Sequence, residues 1–324
     1  MIIVSAKSPS NSHKMKILLI DSHKGSLKEP QNLHWLNAKQ IKDHLITLGH
    51  EVDLIWSYPT VNDDIKSGYD KIIFNHASHY SYVDYKWLEE SPNAELFHIT
   101  NELMLGEPRA LWMGIKNGRK YQVIANHPAN VSKIVKKYVD KWHFVNLNAL
   151  IVEEEPSANV VKNNQCVYYG SYRPGRVLSF QKFLQNGITI STHKKNREKF
   201  EKIGVNGPFV DRLNWSKNDL AQYSYSLYIE DDVTHTNYNH LANRFYEALN
   251  NNVIPLFDSA CADTLTKSNY NFSVELIVDS SEDIEQKING DLEFFKKSDY
   301  LNQWRKKAIK EKKECLKQIT DLIS

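Results

Sequence analysis

A chain of 324 residues is long enough for one large domain or two ordinary ones. Hydrophobic residues make up 41% of it and charged residues 25%, and no apolar run approaches the roughly 20 residues of a membrane-spanning helix, which favours a soluble protein without a membrane partner. The net charge is only +2, and the three cysteines lack C-x-x-C spacing, which argues against a disulfide framework or a zinc site and favours a cytoplasmic location.

The first half of the chain alternates short apolar runs with amphipathic stretches. KILLID is followed by a helical pattern from 33 to 48 that ends at Gly49, and further apolar runs come after it. Strands that alternate with helices indicate a parallel sheet covered on both faces. The predicted strands of this half are 16–21, 52–56, 71–75, 95–100 and 121–125.

A second series of apolar runs begins after a charged, proline-containing stretch, EEEPSANVVKNN (153–164), which predicts a linker. The same alternation returns, so this half predicts a second open α/β domain. Its predicted strands are 165–169, 188–191, 225–230, 253–258 and 274–279, and its predicted helices include 176–185 and 241–251.

The pattern as a whole predicts an α/β fold with two Rossmann-like domains that face a cleft. Residues 1–160 form the predicted first domain, 161–298 the second, and 299–324 a C-terminal helix that must pack on another part of the molecule. Ligands of such sheets bind at the carboxyl ends of the strands, which directs attention to the loops after them. The polar tail has apolar residues at helical spacing, namely Leu301, Trp304, Ala308, Leu316 and Ile319.

The stretch CVYYGSYRPGRVLSF (166–180) combines a buried strand, a glycine turn and the start of a helix, which is the layout that holds phosphate groups. Gly170 and Gly175 have the separation of a Walker A loop. Arg176 and Val177, however, stand where that loop needs Lys and Ser or Thr, which argues against a kinase or an ATPase.

What remains is a turn surrounded by Ser171, Arg173 and Arg176. Such a turn suits a diphosphate that is bound as a leaving group rather than split at its terminal phosphate. An ordinary turn with solvated arginines is the alternative.

The segment from 228 to 258, YIEDDVTHTNYNHLANRFYEALNNNVIPLFD, reads as strand, polar loop, helix and strand. Arg244 and Glu247 are three residues apart, hence on one face near the start of the helix. A cation there suits a pyrophosphate, and a carboxylate suits two ribose hydroxyls. An exposed helical ion pair is the alternative.

These two segments resemble the GT-B glycosyltransferases and, more narrowly, the T-even phage DNA β-glucosyltransferases. Arg-Phe-Tyr-Glu-Ala-Leu is similar to the family's donor-binding helix and Tyr-Gly-Ser-Tyr-Arg-x-Gly to its phosphate turn. The resemblance covers about 165–260, and the family's second turn arginine is displaced, since Val177 stands at its place and Arg176 one position earlier. It implies a GT-B fold in which the C-terminal helix, 299–324, packs back on the first domain. It also implies a UDP-sugar as donor, bound by Gly170, Ser171, Tyr172, Arg173, Arg176, Tyr238, Arg244 and Glu247.

The catalytic position departs from the family pattern. The family has an aspartate after a strand and a threonine, whereas the matching stretch here, HITNELMLGEP, has Asn101 at that place and Glu102 next to it. An amide cannot act as a general base, so Glu102 is the predicted base, with His23 and His76 as rivals. The alternative is a reaction that differs from the family's in donor geometry or in stereochemical outcome.

Two groups of side chains are similar to metal ligands. His76 and His79 lack a visible third ligand, so surface imidazoles are favoured. Glu230, Asp231 and Asp232 are similar to an acidic metal motif, but the surrounding pattern favours a loop or an accessory divalent site. No protein metal site is predicted, although Mg²⁺ or Mn²⁺ is compatible with the sequence.

The resemblance implies that the acceptor is 5-hydroxymethylcytosine in duplex DNA. The segment EPRALWMGIKNGRKYQ (107–122) interleaves basic and aromatic residues, a composition suited to phosphate contacts and to an extruded base. A basic loop with its aromatic residues in the core is the alternative. The predicted DNA-binding residues are Arg109, Trp112, Lys116, Arg119 and Lys120.

The sequence therefore predicts a monomeric enzyme that transfers glucose or arabinose from a UDP-sugar to the hydroxymethyl group of 5-hydroxymethylcytosine. Two alternatives stay open. One is a GT-B enzyme that acts on a glycan, similar to fucosyltransferases or exostosins, and the other is a non-catalytic DNA-binding relative. A Rossmann oxidoreductase is disfavoured because G-x-G-x-x-G is absent.

Overall fold

The computed structural model describes residues 14–21, 33–56, 67–75, 86–100, 118–126, 137–156, 160–185, 187–213, 219–231, 240–290 and 299–324. These residues divide into two compact units, each with its own sheet. The first unit takes 14–21, 34–145 and 318–324, and the second takes 33 and 146–317, within the described ranges.

The sheet of the first unit has six strands in the order β2-β1-β3-β4-β5-β6, and every neighbouring pair is parallel. The order reverses between β1 and β3, which is the point where open α/β sheets place their ligands. The strands are β1 Lys16–Asp21, β2 Glu51–Trp56, β3 Lys71–Asn75, β4 Glu95–Thr100, β5 Tyr121–Ala125 and β6 Val139–Phe144.

The sheet of the second unit also has six parallel strands, in the order β12-β11-β10-β7-β8-β9. The chain runs outward from β7 to β9 and then returns beside β7 as β10, so the reversal lies between β7 and β10. The strands are β7 Asn163–Tyr169, β8 Thr189–Ser191, β9 Phe209–Val210, β10 Tyr223–Tyr228, β11 Ile254–Asp258 and β12 Ile277–Val278.

Helices of the described residues are numbered in chain order. They are α1 Leu33–Thr47, α2 Lys86–Glu90, α3 Val177–Phe183, α4 Lys194–Glu201, α5 Asn243–Asn250, α6 Ala262–Lys267, α7 Ser281–Asn289 and α8 Tyr300–Ile323. Short 3₁₀ turns occur at Leu147–Ile151, Pro174–Arg176, Asp219–Gln222, Ser259–Cys261 and Val274–Leu276.

The central strands are buried along their whole length. All six residues of β10 and all five of β11 are buried, as expected for parallel strands covered on both faces. The α/β prediction with two parallel sheets is therefore confirmed. The prediction of a strand over 274–279 was too long, because residues 274–276 form a 3₁₀ turn and β12 pairs only through Ile277 and Val278.

The division between the units falls at Val145, earlier than the predicted boundary at 160. Residues 147–151 belong to the second unit because they pack against α5. Asn250 makes two contacts there: its Nδ2 donates to the carbonyl of Ile151 at 2.8 Å, and its Oδ1 accepts from the Glu153 N–H at 2.9 Å. The predicted linker, 153–164, thus follows a 3₁₀ turn, Leu147–Ile151, that is hydrogen-bonded to α5.

The C-terminal helix α8 buries a stripe that includes the predicted positions Trp304, Ala308 and Ile319. Trp304 packs against Phe245 and Phe272 of the second unit, with ring centres 6.2 and 5.1 Å apart. The last residues of the chain, 318–324, are grouped with the first unit. In the part of the chain that is described, we find no helix with the length and apolarity to cross a membrane.

Candidate functional site

A cleft of about 310 Å³ opens in the second unit at the carboxyl ends of β7 and β10. These two strands are the neighbours at which the strand order reverses, so the cleft lies at the topological switch point of the sheet. Its lining residues are Tyr169, Gly170, Ser171, Arg173, Arg176, Arg212, Leu213, Glu230, Ala242, Asn243, Arg244 and Glu247.

The two glycines of the predicted phosphate turn allow charged side chains to approach its backbone. A Cβ added to Gly170 would lie 3.0 Å from Nη2 of Arg244, and one added to Gly175 would lie 3.2 Å from Oδ1 of Asp231. Both distances are shorter than ordinary van der Waals contact. A larger residue at either position would therefore require a small shift of the Arg244 or Asp231 side chain, which occupies the space beside the turn.

Arg244 joins the start of α5 to the end of β7. Its Nε donates to the carbonyl of Tyr169 at 3.2 Å, and the Tyr169 hydroxyl donates back to the carbonyl of Arg244 at 2.9 Å. Its Nη1 donates to the carbonyl of Ile229 at 2.7 Å and also to Glu230. The guanidinium also lies over the ring of Tyr168, 5.6 Å from its centre. Three of its five N–H groups are thus used for positioning.

Arg176 is held by two carboxylates at the opposite side of the turn. Its side chain is 5% exposed, and its Nη2 donates to Glu230 at 2.8 Å and to Asp231 at 3.1 Å. Its Nε donates to Asp231 at 3.0 Å, which completes a two-bond pairing with that carboxylate. Its Nη1 is buried and has no hydrogen-bond partner among the described residues.

We call Arg176, Arg244, Glu230 and Asp231 the charged floor of the cleft. Glu230 is 6% exposed and pairs with both arginines. Burial and the charge of Arg244 act to lower the pKa of Arg176, but the attraction of Glu230 and Asp231 outweighs them and raises it. The pKa of Arg244 is likewise raised, because Glu230 and other anionic neighbours overcome the effect of burial. Both arginines therefore stay cationic in the buried site.

We call Ser171, Arg173 and Arg212 the exposed rim of the cleft. All three residues are exposed at its edge. Arg212 contacts His193, with 2.9 Å between Nη1 and Nε2, whereas Arg173 makes no ion pair with any described residue. Within the described ranges, the two rim arginines thus form no ion pair with a carboxylate.

Glu247 lies in the same cleft with 9% of its surface exposed. Burial raises its pKa to about 7, although Arg244, a hydrogen bond with Tyr169 and the charge of Arg212 all act to lower it. A carboxyl group with this pKa changes its charge near neutral pH, and when ionised it accepts hydrogen bonds only. Arg244 and Glu247 thus face one cleft, although the ion pair of Arg244 is made with Glu230.

The predicted residue Tyr172 has a different environment from its neighbours in the turn. Its ring packs against Phe180 and Phe200, with ring centres 5.9 and 5.4 Å apart, and it is absent from the lining of the cleft. It supports the turn from the side of the core. Of the other predicted donor residues, Tyr238 lies outside the described residues.

The predicted catalytic residues Asn101 and Glu102 follow β4 directly and lie outside the described residues. The rival bases His23 and His76, and the neighbouring His79, do so as well, and so do three of the predicted DNA-binding residues. Those three are Arg109, Trp112 and Lys116.

Arg119 and Lys120, also predicted to bind DNA, precede β5 and so lie at the amino end of that strand. The guanidinium of Arg119 donates to three backbone carbonyls that precede β4, those of Leu88, Ser91 and Ala94. Burial lowers the pKa of Arg119. This pattern gives Arg119 a structural role, because it satisfies carbonyls at the edge of the sheet opposite to the usual ligand edge.

Sequence patterns did not identify Arg212 and Asn243 as cleft residues. Arg212 follows the two-residue strand β9, and Asn243 directly precedes Arg244, with its Oδ1 buried and without a hydrogen-bond partner among the described residues. The only available signal was the position of Asn243 beside the predicted Arg244. Nothing local to Arg212 distinguishes it from other surface arginines.

The acidic residues after β10 do not form a cation site in the described part of the chain. Glu230 and Asp231 both face Arg176, and no group of three His, Cys, Asp or Glu side chains suited to a metal occurs among the described residues. Asp232, the third member of the motif, lies outside them.

Comparisons with known proteins agree with this architecture. No protein-family model matches the chain, and no curated protein matches it significantly. A variant of T4 phage BGT, a β-glucosyltransferase, in complex with UDP-glucose aligns with a TM-score of 0.63 at 15% identity, covering 93% of this chain and 98% of that one. T4 phage BGT in complex with UDP and Mn²⁺ aligns at 0.60 and 16% identity, covering 94% and 95%. The predicted likeness to the phage β-glucosyltransferases is thus confirmed for the fold, which is of the GT-B type.

Proposed function

We propose that this chain is a UDP-sugar-dependent glycosyltransferase that modifies DNA. It transfers glucose or arabinose to the hydroxymethyl group of 5-hydroxymethylcytosine in duplex DNA. The observation that carries the proposal is the cleft at the switch point of the second sheet, where four arginines and the carboxyl groups of Glu230 and Glu247 meet. The shared fold with a phage glucosyltransferase solved with UDP-glucose supports the choice of donor.

The donor half of the proposal assigns roles within the cleft. The uncommitted amino groups of Arg244 and Arg176, together with the side chain of Arg173, bind the diphosphate. The hydroxyl of Ser171 and the backbone of Gly170 add polar contacts, and Tyr238 lines the same site. Glu247 accepts hydrogen bonds from the ribose hydroxyls in its ionised form.

In the transfer step, the acceptor hydroxyl oxygen forms a bond to the anomeric carbon of the sugar. The bond from that carbon to the β-phosphate oxygen breaks, and UDP leaves with the electron pair. Negative charge develops on the leaving diphosphate, and fixed arginines in a water-poor site stabilise it without reorganisation. The acceptor proton passes to a base, for which we propose Glu102 beside Asn101, with His23 and His76 as alternatives.

The DNA half of the proposal depends on the segment from 107 to 122. We assign phosphate and base contacts to Arg109, Trp112, Lys116 and Lys120, whereas Arg119 is engaged by backbone carbonyls. Phosphate contacts by basic side chains make affinity fall with salt, and an aromatic ring suits an extruded base.

The function is tested by measuring UDP release from UDP-glucose and from UDP-arabinose. Each donor is offered duplex DNA with 5-hydroxymethylcytosine, unmodified DNA, or no DNA, and the digested nucleosides are analysed by mass. We expect UDP release above background only with modified DNA, and a mass increase of one sugar on the modified base.

Two variants serve as controls in this assay. Arg244→Met is expected to abolish transfer with either donor, and Glu102→Gln to lower the turnover rate with little change in the Michaelis constant for the donor. UDP binding without a DNA product would overturn the DNA acceptor and redirect the search to glycans. Absence of UDP binding would overturn the donor as well.

A further inference from the structure

Glu230 occupies a central place in the charged floor, although neither the phosphate turn nor the donor helix contains it. It follows β10 by two residues and is 6% exposed. Its Oε2 accepts from Nη2 of Arg176 at 2.8 Å, and its Oε1 accepts from Nη1 of Arg244. One buried carboxylate thus bridges two arginines that come from different elements.

The hydrogen bonds of the two arginines leave complementary groups unused. Nε and Nη1 of Arg244 are occupied by Tyr169, Ile229 and Glu230, so that Nη2, beside Gly170, has no hydrogen-bond partner among the described residues. Nε and Nη2 of Arg176 are occupied by Asp231 and Glu230, and its buried Nη1 has no such partner either. Each guanidinium therefore retains one amino group whose N–H donors no described residue uses.

Electrostatics explains why the bridge is needed. Arg176 and Arg244 repel each other, which acts to lower the pKa of Arg176, and Glu230 acts in the opposite direction on both arginines. Two guanidiniums without a carboxylate between them would move apart or towards water, because water screens charge better than a buried site does. Their uncommitted amino groups would then no longer share one ligand.

We propose that Glu230 is a positioning residue of the donor site: by bridging Arg176 and Arg244 it fixes their uncommitted amino groups, Nη1 and Nη2 respectively, for the diphosphate. This inference rests on the proposed function. It assigns a role in donor binding to a residue that does not itself contact the sugar nucleotide. Although Glu230 is negatively charged, its effect on the two arginines favours the binding of the negatively charged diphosphate.

The test compares titrations of wild-type protein and the Glu230→Gln variant with UDP, uridine and inorganic pyrophosphate. Glutamine keeps the shape of the side chain but is neutral, and its amide donor cannot serve two guanidiniums. We expect the affinity for UDP and for pyrophosphate to fall at least tenfold. The affinity for uridine, which has no phosphate, is expected to change less than twofold.

The matched control is Asp258→Asn. Asp258 is a buried carboxylate at the end of β11 that accepts from Ser179 at 2.8 Å, and it contacts neither arginine within the described residues. Its substitution is expected to leave the ratio of UDP to uridine affinity at the wild-type value, even if stability falls. A general loss of folding would lower both affinities together.

A second variant keeps the proposal testable if Glu230→Gln does not fold. Asp231 is 27% exposed and, among the described residues, forms an ion pair with Arg176 alone. Asp231→Asn is therefore expected to lower the UDP affinity by about threefold and to spare uridine. Unchanged or tighter UDP binding by both variants would overturn the proposal, since Glu230 would then merely compete with the diphosphate.

The same titrations separate this inference from the function on which it rests. Wild-type protein that binds pyrophosphate but neither UDP nor uridine would contradict the proposed donor. The role of Glu230 would then be decided by the pyrophosphate affinities of the wild type and the Glu230→Gln variant. Wild-type protein that binds neither UDP nor pyrophosphate would overturn both.

Discussion

The floor and the rim of the cleft use arginine in opposite ways. Both floor arginines are paired with carboxylates: Arg176 is 5% exposed and Arg244 is 17% exposed. Arg244 is also bonded to the backbone carbonyls of Tyr169 and Ile229. The rim arginine Arg173 is exposed and has no ion pair among the described residues. The comparison indicates that preorganisation resides in the floor, while the rim contributes charge that must be ordered when a ligand binds.

The largest expected effect is that of Arg244→Met. The variant removes a free amino group that we assign to the diphosphate and also one of the two partners of Glu230. Two charge-assisted hydrogen bonds of about 1.5–3 kcal/mol each make a loss of UDP affinity of about 100-fold or more the expected result. Calorimetric titration measures it, and denaturant unfolding of the same sample should show a lower unfolding free energy. A folded variant with nearly wild-type UDP affinity would contradict the role of the floor.

The next effect concerns Glu247 and pH. Its pKa in the folded chain, about 7, is raised above the ordinary value of 4.5, so the native state holds this proton more tightly than the unfolded state does. The stabilisation by the proton is complete below about pH 4.5 and is lost as pH rises through about 7, with an upper limit of about 3 kcal/mol.

Glu247→Gln removes this titration and supplies the matched control. The unfolding free energy of the wild type relative to the variant is expected to fall between pH 5 and pH 8. UDP affinity should show the reverse trend, since the ionised carboxylate accepts both ribose hydroxyls, and at pH 8 the variant is expected to bind UDP about tenfold more weakly. Parallel pH profiles for the two proteins would rule out this role for Glu247.

A smaller effect is expected for Arg173→Ala on the rim. An exposed charge contributes about 1 kcal/mol or less, so UDP affinity should fall about fivefold. The unfolding free energy should stay within about 0.5 kcal/mol of the wild-type value, as for surface substitutions. Arg173→Ala and Arg244→Met together distinguish an effect on UDP affinity from an effect on the unfolding free energy. A marked loss of stability in Arg173→Ala would remove the distinction between rim and floor.

The smallest effect on affinity is expected for Arg212→Ala, about twofold. The charge of Arg212 acts to lower the pKa of Glu247, so its removal should raise that pKa further. The midpoint of the pH dependence of UDP binding should therefore move to higher pH. A midpoint that does not move would show that Arg212 is too mobile to influence Glu247.

The sequence predicted those parts of the structure whose signal is local. Continuous apolar runs identified the buried strands of both sheets, and three-residue spacing placed Arg244 and Glu247 on one face of α5. Two of the four edge strands were missed. Strand β6, with its polar residues Asp140 and Lys141 exposed, lacks an apolar run, and β9 has only two residues.

The arrangement within the floor could not be predicted from local patterns. Arg176 was expected to face a diphosphate freely, yet it pairs with Glu230, which is 54 residues away in sequence. That pairing depends on β7 and β10 being neighbours at the switch point, a property of the whole sheet. Residues 101–117, which directly follow β4 and include the predicted base Glu102, lie outside the described residues, so their roles stay predictions.

The most direct test of the central claim is a crystal structure of the chain with UDP. The account predicts diphosphate oxygens within hydrogen-bond distance of Nη2 of Arg244 and Nη1 of Arg176, and ribose hydroxyls on the carboxylate of Glu247. It also predicts that Glu230 still bridges the two arginines. The account would be contradicted by UDP bound outside this cleft. It would also be contradicted by a diphosphate that contacts only the exposed rim and neither arginine of the charged floor.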